Sequence, residues 1–126
     1  MPTAPLILVA DDEAIILNVV TVVLRKAGFR VLAASCGTQA LQLADASDEP
    51  IFLAVLDVVM PDLDGPQLSV RLRETYPDLR VLFISGYNLP PSGLPTGADF
   101  LSKPFTAAEL LRRVQACADR PVTDRG

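Results

Sequence analysis

The stretch "LILVADDEA", residues 6–14, sets five apolar residues directly before Asp11, Asp12 and Glu13. A run so short and so continuously apolar fits a strand buried on both faces. Adjacent carboxylates repel, and each raises the cost of ionising its neighbours. Three of them at the end of a buried strand therefore call for a partner that offsets the charge.

The same pattern recurs along the chain. Apolar runs at residues 6–10, 30–34, 52–56, 81–84 and 98–101 alternate with helical patterns at residues 14–27, 38–46, 66–76 and about 107–118. The last helix opens on the capping box "TAAE", Thr106 to Glu109. Alternation of this kind predicts an α/β domain in which helices cover both faces of a parallel sheet. Right-handed crossovers then bring the carboxyl ends of all five strands to one edge, where open α/β sheets bind ligands. Asp11 and Asp12 follow the first strand, Asp57 ends "FLAVLD", Ser85 ends "VLFIS", and Lys103 follows the fifth strand in "DFLSKPF". Five polar side chains from four strands thus converge on one place.

Composition excludes several classes. A chain of 126 residues is one domain of common size. It is 50% hydrophobic and 21% charged, and a net charge of -4 without a basic stripe argues against a module that grips nucleic-acid backbone. Its eleven prolines and seven glycines fall between the periodic segments or, as Pro66 does, at the edge of one. The first acids come too early for a signal peptide, and no apolar run approaches the roughly 18 residues of a membrane span. The expectation is a soluble cytoplasmic domain without membrane or nucleic-acid partners. Cys36 and Cys117 lack metal-ligand spacing and read as two reduced, partly buried thiols. The chain has no histidine, which removes His-based triads and most zinc sites.

Three carboxylates in one pocket can stay ionised together around a hard divalent cation, and Mg²⁺ prefers a few oxygen ligands with retained waters. A carboxylate beside a lysine ammonium and a hydroxyl is placed to attack phosphorus, since those groups neutralise the oxygens of a transferring phosphoryl. Asp57 is the nucleophile on this reading. A bland reading exists for each residue: a strand-end Asp as a helix cap, Lys103 before Pro104 as a loop residue, Ser85 before Gly86 as a turn. It must be invoked independently at four places.

These residues resemble the receiver domain of two-component response regulators. The likeness covers Leu6 to about Ala118, with a polar tail or linker remnant at 120–126, and rests on four parts. They are the acidic pair Asp11 and Asp12, the "LDVVMPDLDG" segment around Asp57, Ser85 with Gly86, and "KPF" at Lys103 to Phe105. The resemblance implies a flavodoxin-like doubly wound five-stranded parallel sheet of order 2-1-3-4-5. It also implies a phosphorylation switch, not an enzyme acting on a separate metabolite. Asp57 accepts a phosphoryl group from a phosphohistidine of a histidine kinase or phosphotransfer protein. On the same resemblance Asp12, Asp57 and the main-chain carbonyl of Val59 would bind Mg²⁺ or Mn²⁺, with Asp11 helping through water, and Lys103 and Ser85 would contact the phosphoryl oxygens. Pro104 follows a cis bond, and Ser85 and Phe100 form the switch pair, although Phe100 reads equally as a plain core residue.

Two features depart from the family. The connection "GYNLPPSGLPTGA" carries Pro90, Pro91, Pro95, Gly93 and Gly97, which predicts a fourth helix shortened or missing. This puts in doubt a dimer through that face, and the oligomeric state is a monomer or a weak dimer. The first helix reads "AIILNVVTVVL", apolar at nine of eleven positions, more than one buried stripe requires. With Ile16, Val20, Val23 and Leu24 buried, Ile15, Leu17 and Val22 fall near the outer face as a kinase-docking surface. Two competing functions remain: a receiver-like module that only binds a partner, and an Mg²⁺-dependent phosphatase with an aspartate nucleophile. The haloacid dehalogenase type carries a second Asp two residues after its nucleophile, where this chain has Val59.

Overall fold

The computed structural model describes residues 4–86 and 98–119. Among the described residues five strands and four helices follow in the order β1 (Leu6–Ala10), α1 (Ala14–Lys26), β2 (Arg30–Ala34), α2 (Gly37–Ala46), β3 (Leu53–Asp57), α3 (Gly65–Thr75), β4 (Arg80–Ser85), β5 (Asp99–Ser102) and α4 (Ala107–Ala118). All pairings are parallel and the sheet order is β2-β1-β3-β4-β5, the flavodoxin-like arrangement expected. The shortened helix expected between β4 and β5 falls on residues 87–97 and lies outside the described residues, as does the tail at 120–126.

Alternate strand residues feed two separate cores, as the two-residue period of a strand dictates. Leu6, Leu8, Ala54, Leu56, Val81 and Phe83 pack with Ala40 and Ala44 of α2 and Leu68 and Leu72 of α3. Ile7, Val9, Leu53, Val55, Leu82 and Ile84 pack with Val20 and Leu24 of α1 and Leu110 and Val114 of α4. Every residue of β1 and β3 is buried, which is why β1, and β3 as far as Leu56, read as unbroken apolar runs.

Local chemistry sets the helix starts. Asp64 caps α3 and Thr106 caps α4, each in a reciprocal capping box, with Gln67 and Glu109 answering from the third helical position. Helix α2 has Cys36 at its N-cap position, and that side chain makes no cap bond; the Asp62 carboxylate reaches across from the loop after β3 to accept from the Gly37 and Thr38 amides, at 3.1 and 2.9 Å. Strand β3 lies one residue later than the pattern predicts, at Leu53–Asp57, so that Asp57 is itself the last strand residue. Phe52 is left half-buried at the strand entry with the Arg80 guanidinium 5.2 Å from its ring centroid.

Helix α1 corrects part of the expected outer face. Leu17 is half-buried and packs against the core beside Ile16 and Val23, while Ile15, Val19 and Val22 are exposed. The helix contacts the sheet and α4 together, which widens its buried arc beyond a single stripe. Among the described residues no helix is long and apolar enough to cross a membrane. Neither cysteine is in a disulfide; Cys117 is buried and Cys36 half-buried.

Candidate functional site

The parallel register places the carboxyl ends of β1, β3, β4 and β5 side by side, and the polar residues gather there. Asp11, Asp12 and Asp57 each offer a carboxylate oxygen, and these oxygens lie within 4.8 Å of one another. Asp11 and Asp57 are buried, whereas Asp12 is exposed at the rim. The Lys103 side chain is only 9% exposed, with its ammonium 3.0 Å from Asp11 Oδ2 and 3.5 Å from Asp57 Oδ2. Its other contact is with the Glu13 carboxylate. Asp11 Oδ1 also accepts from the Glu13 amide at 2.8 Å, so the acidic turn folds back on its first member.

The electrostatics follow from this crowding. Burial, then the neighbouring Asp11 charge, pushes the Asp57 carboxyl up to about 7, against the pull of the Lys103 ammonium. For Lys103, burial favours the neutral amine, but bonds to Glu13 and Asp11 and the Asp57 charge outweigh it and raise its pKa. An array with three clustered carboxylates and one ammonium has an excess of negative charge that a divalent cation would offset. The donor set is all oxygen, hard and partly open at Asp12, which fits Mg²⁺.

The other expected residues take these positions. Ser85 is buried at the end of β4, in register with Ser102, and its carbonyl accepts from the Lys103 amide at 2.6 Å. The Lys103–Pro104 bond is cis. Phe100 is half-buried, packs against the first core, and lies in register with Phe83. Val59 is exposed between Val58 and Met60, both buried.

The loop after Asp57 is held close to that residue by a glycine. A Cβ on Gly65 would lie 2.5 Å from the Asp57 carbonyl oxygen and 3.1 Å from Val58 Cα, and the Gly65 amide donates to the Val58 carbonyl at 2.9 Å. Sequence reasoning assigns no role to Glu13 or Asp62. Glu13 is visible as the third acid of the opening run, but its pairing with Lys103 spans 90 residues. Asp62 reads as one more turn residue in "MPDLDG".

This fold, with an acid triad and a lysine at its strand ends, defines a class of signalling domain. The model of the response regulator receiver domain matches residues 7–115, and the chain belongs to that family, the phosphorelay signalling domains of two-component systems. It is similar to the response regulator receiver protein CpdR of Brucella abortus, 34% identical over 113 residues covering 86% of this chain and 92% of CpdR. It also resembles the sensor kinase CckA of the same organism, 34% identical over 122 residues, 94% of this chain but 13% of the kinase's length. A response regulator receiver protein from Sinorhizobium medicae superimposes with a TM-score of 0.82 at 34% identity, covering 92% of this chain and 95% of that one.

Proposed function

We propose that Asp57 accepts a phosphoryl group from a phosphohistidine of a histidine kinase or phosphotransfer protein, in an Mg²⁺-dependent step. The observation that carries this reading is the Lys103 ammonium held between Asp11 and Asp57 at the strand ends, beside the acid cluster. An Asp57 carboxylate oxygen attacks phosphorus in line with the departing imidazole nitrogen. The O–P bond forms as the N–P bond breaks, and the N–P electron pair stays on the nitrogen of a ring already protonated at its other nitrogen, which leaves as neutral imidazole. Lys103 stabilises charge on the phosphoryl oxygens, and the Ser85 hydroxyl supplies a donor to one of them. Asp11, Asp12, Asp57 and the Val59 carbonyl would hold the cation, which supplies charge neutralisation at the phosphoryl group. Ser85 and Phe100 form the switch pair that reports the new charge.

Exposed apolar residues on α1, Ile15 at 79% and Val22 at 42%, supply the docking surface for the phosphodonor's helices, with Val19 joining them at 45% in place of Leu17.

Phosphoramidate, whose P–N bond mimics that of phosphohistidine, is the direct probe of the donor class. Incubated with the protein and followed by ³¹P NMR, it should yield an acyl phosphate when Mg²⁺ is present and none when EDTA is present from the start. An acyl phosphate that forms equally well in EDTA would contradict the metal dependence, and none in Mg²⁺ would contradict the donor chemistry.

A further inference from the structure

The loop that joins Asp57 to α3 runs through residues 58–64 and contains Val59, whose carbonyl is the expected fourth metal ligand. Its first turn is seated in the core by Val58 and Met60, and its end is closed by Gly65 against Asp57. Its middle is tied to a different element. Asp62 Oδ1 accepts from the Gly37 amide at 3.1 Å and the Leu63 amide at 2.8 Å, and Oδ2 accepts from the Thr38 amide at 2.9 Å. The Thr38 side chain, the Thr38 and Gly37 amides and the Cys36 thiol together hold the Asp62 carboxyl well below the usual carboxylate range. A second contact stands beside these bonds: a Cβ on Gly37 would strike the Leu63 carbonyl oxygen and lie 2.6 Å from Leu63 Cβ. Helix and loop therefore meet backbone to backbone, at a place where only glycine fits.

Helix α2 also lacks a cap of its own, since Cys36 makes no side-chain cap bond. Asp62 acts as a helix N-cap from outside the helix, and the same bonds fix the loop three residues beyond Val59. We infer that Asp62 is a positioning residue, which holds the loop after Asp57 in the geometry that the Mg²⁺ site requires by tying it to the N-terminus of α2. This rests on the Mg²⁺ reading of the site given above. Groups that orient metal ligands without touching the metal typically change affinity by about 10- to 100-fold when removed.

The test separates positioning from helix stability by giving α2 a cap of its own. Cys36 already has extended backbone angles suited to an N-cap, so Cys36→Asp can bond the first-turn amides locally without reaching the loop. The full chain, Asp62→Ala and the double variant Asp62→Ala/Cys36→Asp are compared by thermal unfolding. Mg²⁺ Kd is then measured on each folded protein by amide chemical shifts. Asp62→Ala should weaken Mg²⁺ binding about tenfold and lower Tm by about 4 °C. The double variant should recover Tm while its Kd stays weak. An affinity unchanged in Asp62→Ala, or one that follows Tm through all three proteins, overturns the inference and leaves the site reading intact. A full chain that shows no Mg²⁺ response around Asp57 overturns both.

Discussion

Asp57 stands among like charges with one ammonium to offset them, and the metal-free fold is less stable for it. Its carboxyl rises from the ordinary 3.8 to about 7, chiefly through burial and then Asp11. A carboxyl whose pKa is raised on folding contributes stability that is fully present below about pH 4 and is lost as pH rises to about 7. Replacement by Asn removes the charge at nearly constant volume. In EDTA at pH 8, Asp57→Asn should be more stable than the natural chain by roughly 1–3 kcal/mol, with the gap closing near pH 4. Urea unfolding across that range measures it, and a gap independent of pH would show that the Asp57 charge is not its source. At this scale much is legible in the sequence, because Asp11, Asp57, Ser85 and Lys103 each interrupt an apolar run at a strand end. Asp62 is not, because its partners Gly37 and Thr38 lie more than twenty residues upstream and nothing in its own neighbourhood points to them.

Elements position these groups through close backbone approach. The first residue of α3, Gly65, meets the Asp57 carbonyl with no room for a methyl group. Gly65→Ala must push α3 away from β3, with a cost of about 1–3 kcal/mol and, on the proposed role of Asp57, slower phosphorylation by acetyl phosphate. Urea midpoints and labelling rates test both, and an Ala variant of natural stability and rate would contradict the close contact. Strand and helix identities are readable from periodicity, since doubly buried strands leave unbroken apolar runs and a capping box announces α4. The face of α1 is less readable. A single-stripe wheel assumes one packing partner, and α1 has both the sheet and α4, which draws Leu17 inward and leaves Val19 outside.

Across the whole molecule, the acid site and the exposed part of α1 are neighbours, because Ile15 is the second residue of the helix that follows Asp11, Asp12 and Glu13. Ile15→Lys should leave labelling by a small phosphodonor within about twofold while slowing transfer from the partner kinase at least about tenfold, the loss expected when a central apolar contact of more than 1 kcal/mol is removed. Equal slowing with both donors would place its effect in the chemistry and not in docking. The chain spans 13% of the sensor kinase it resembles and 46% of the response regulator GtcR of Aneurinibacillus migulanus. The side chains proposed for phosphoryl transfer nevertheless all lie within it, between Asp11 and Lys103.

Whether Asp57 takes the phosphoryl group in a metal-dependent reaction is decided by intact mass after incubation with acetyl phosphate, with Mg²⁺ and with EDTA, for the natural chain beside Asp57→Asn. The expected outcome is a gain of one phosphoryl group in the natural chain with Mg²⁺ alone, and none in the variant. The same gain in Asp57→Asn would remove Asp57 as the acceptor, and the same gain in EDTA would remove the metal from the reaction.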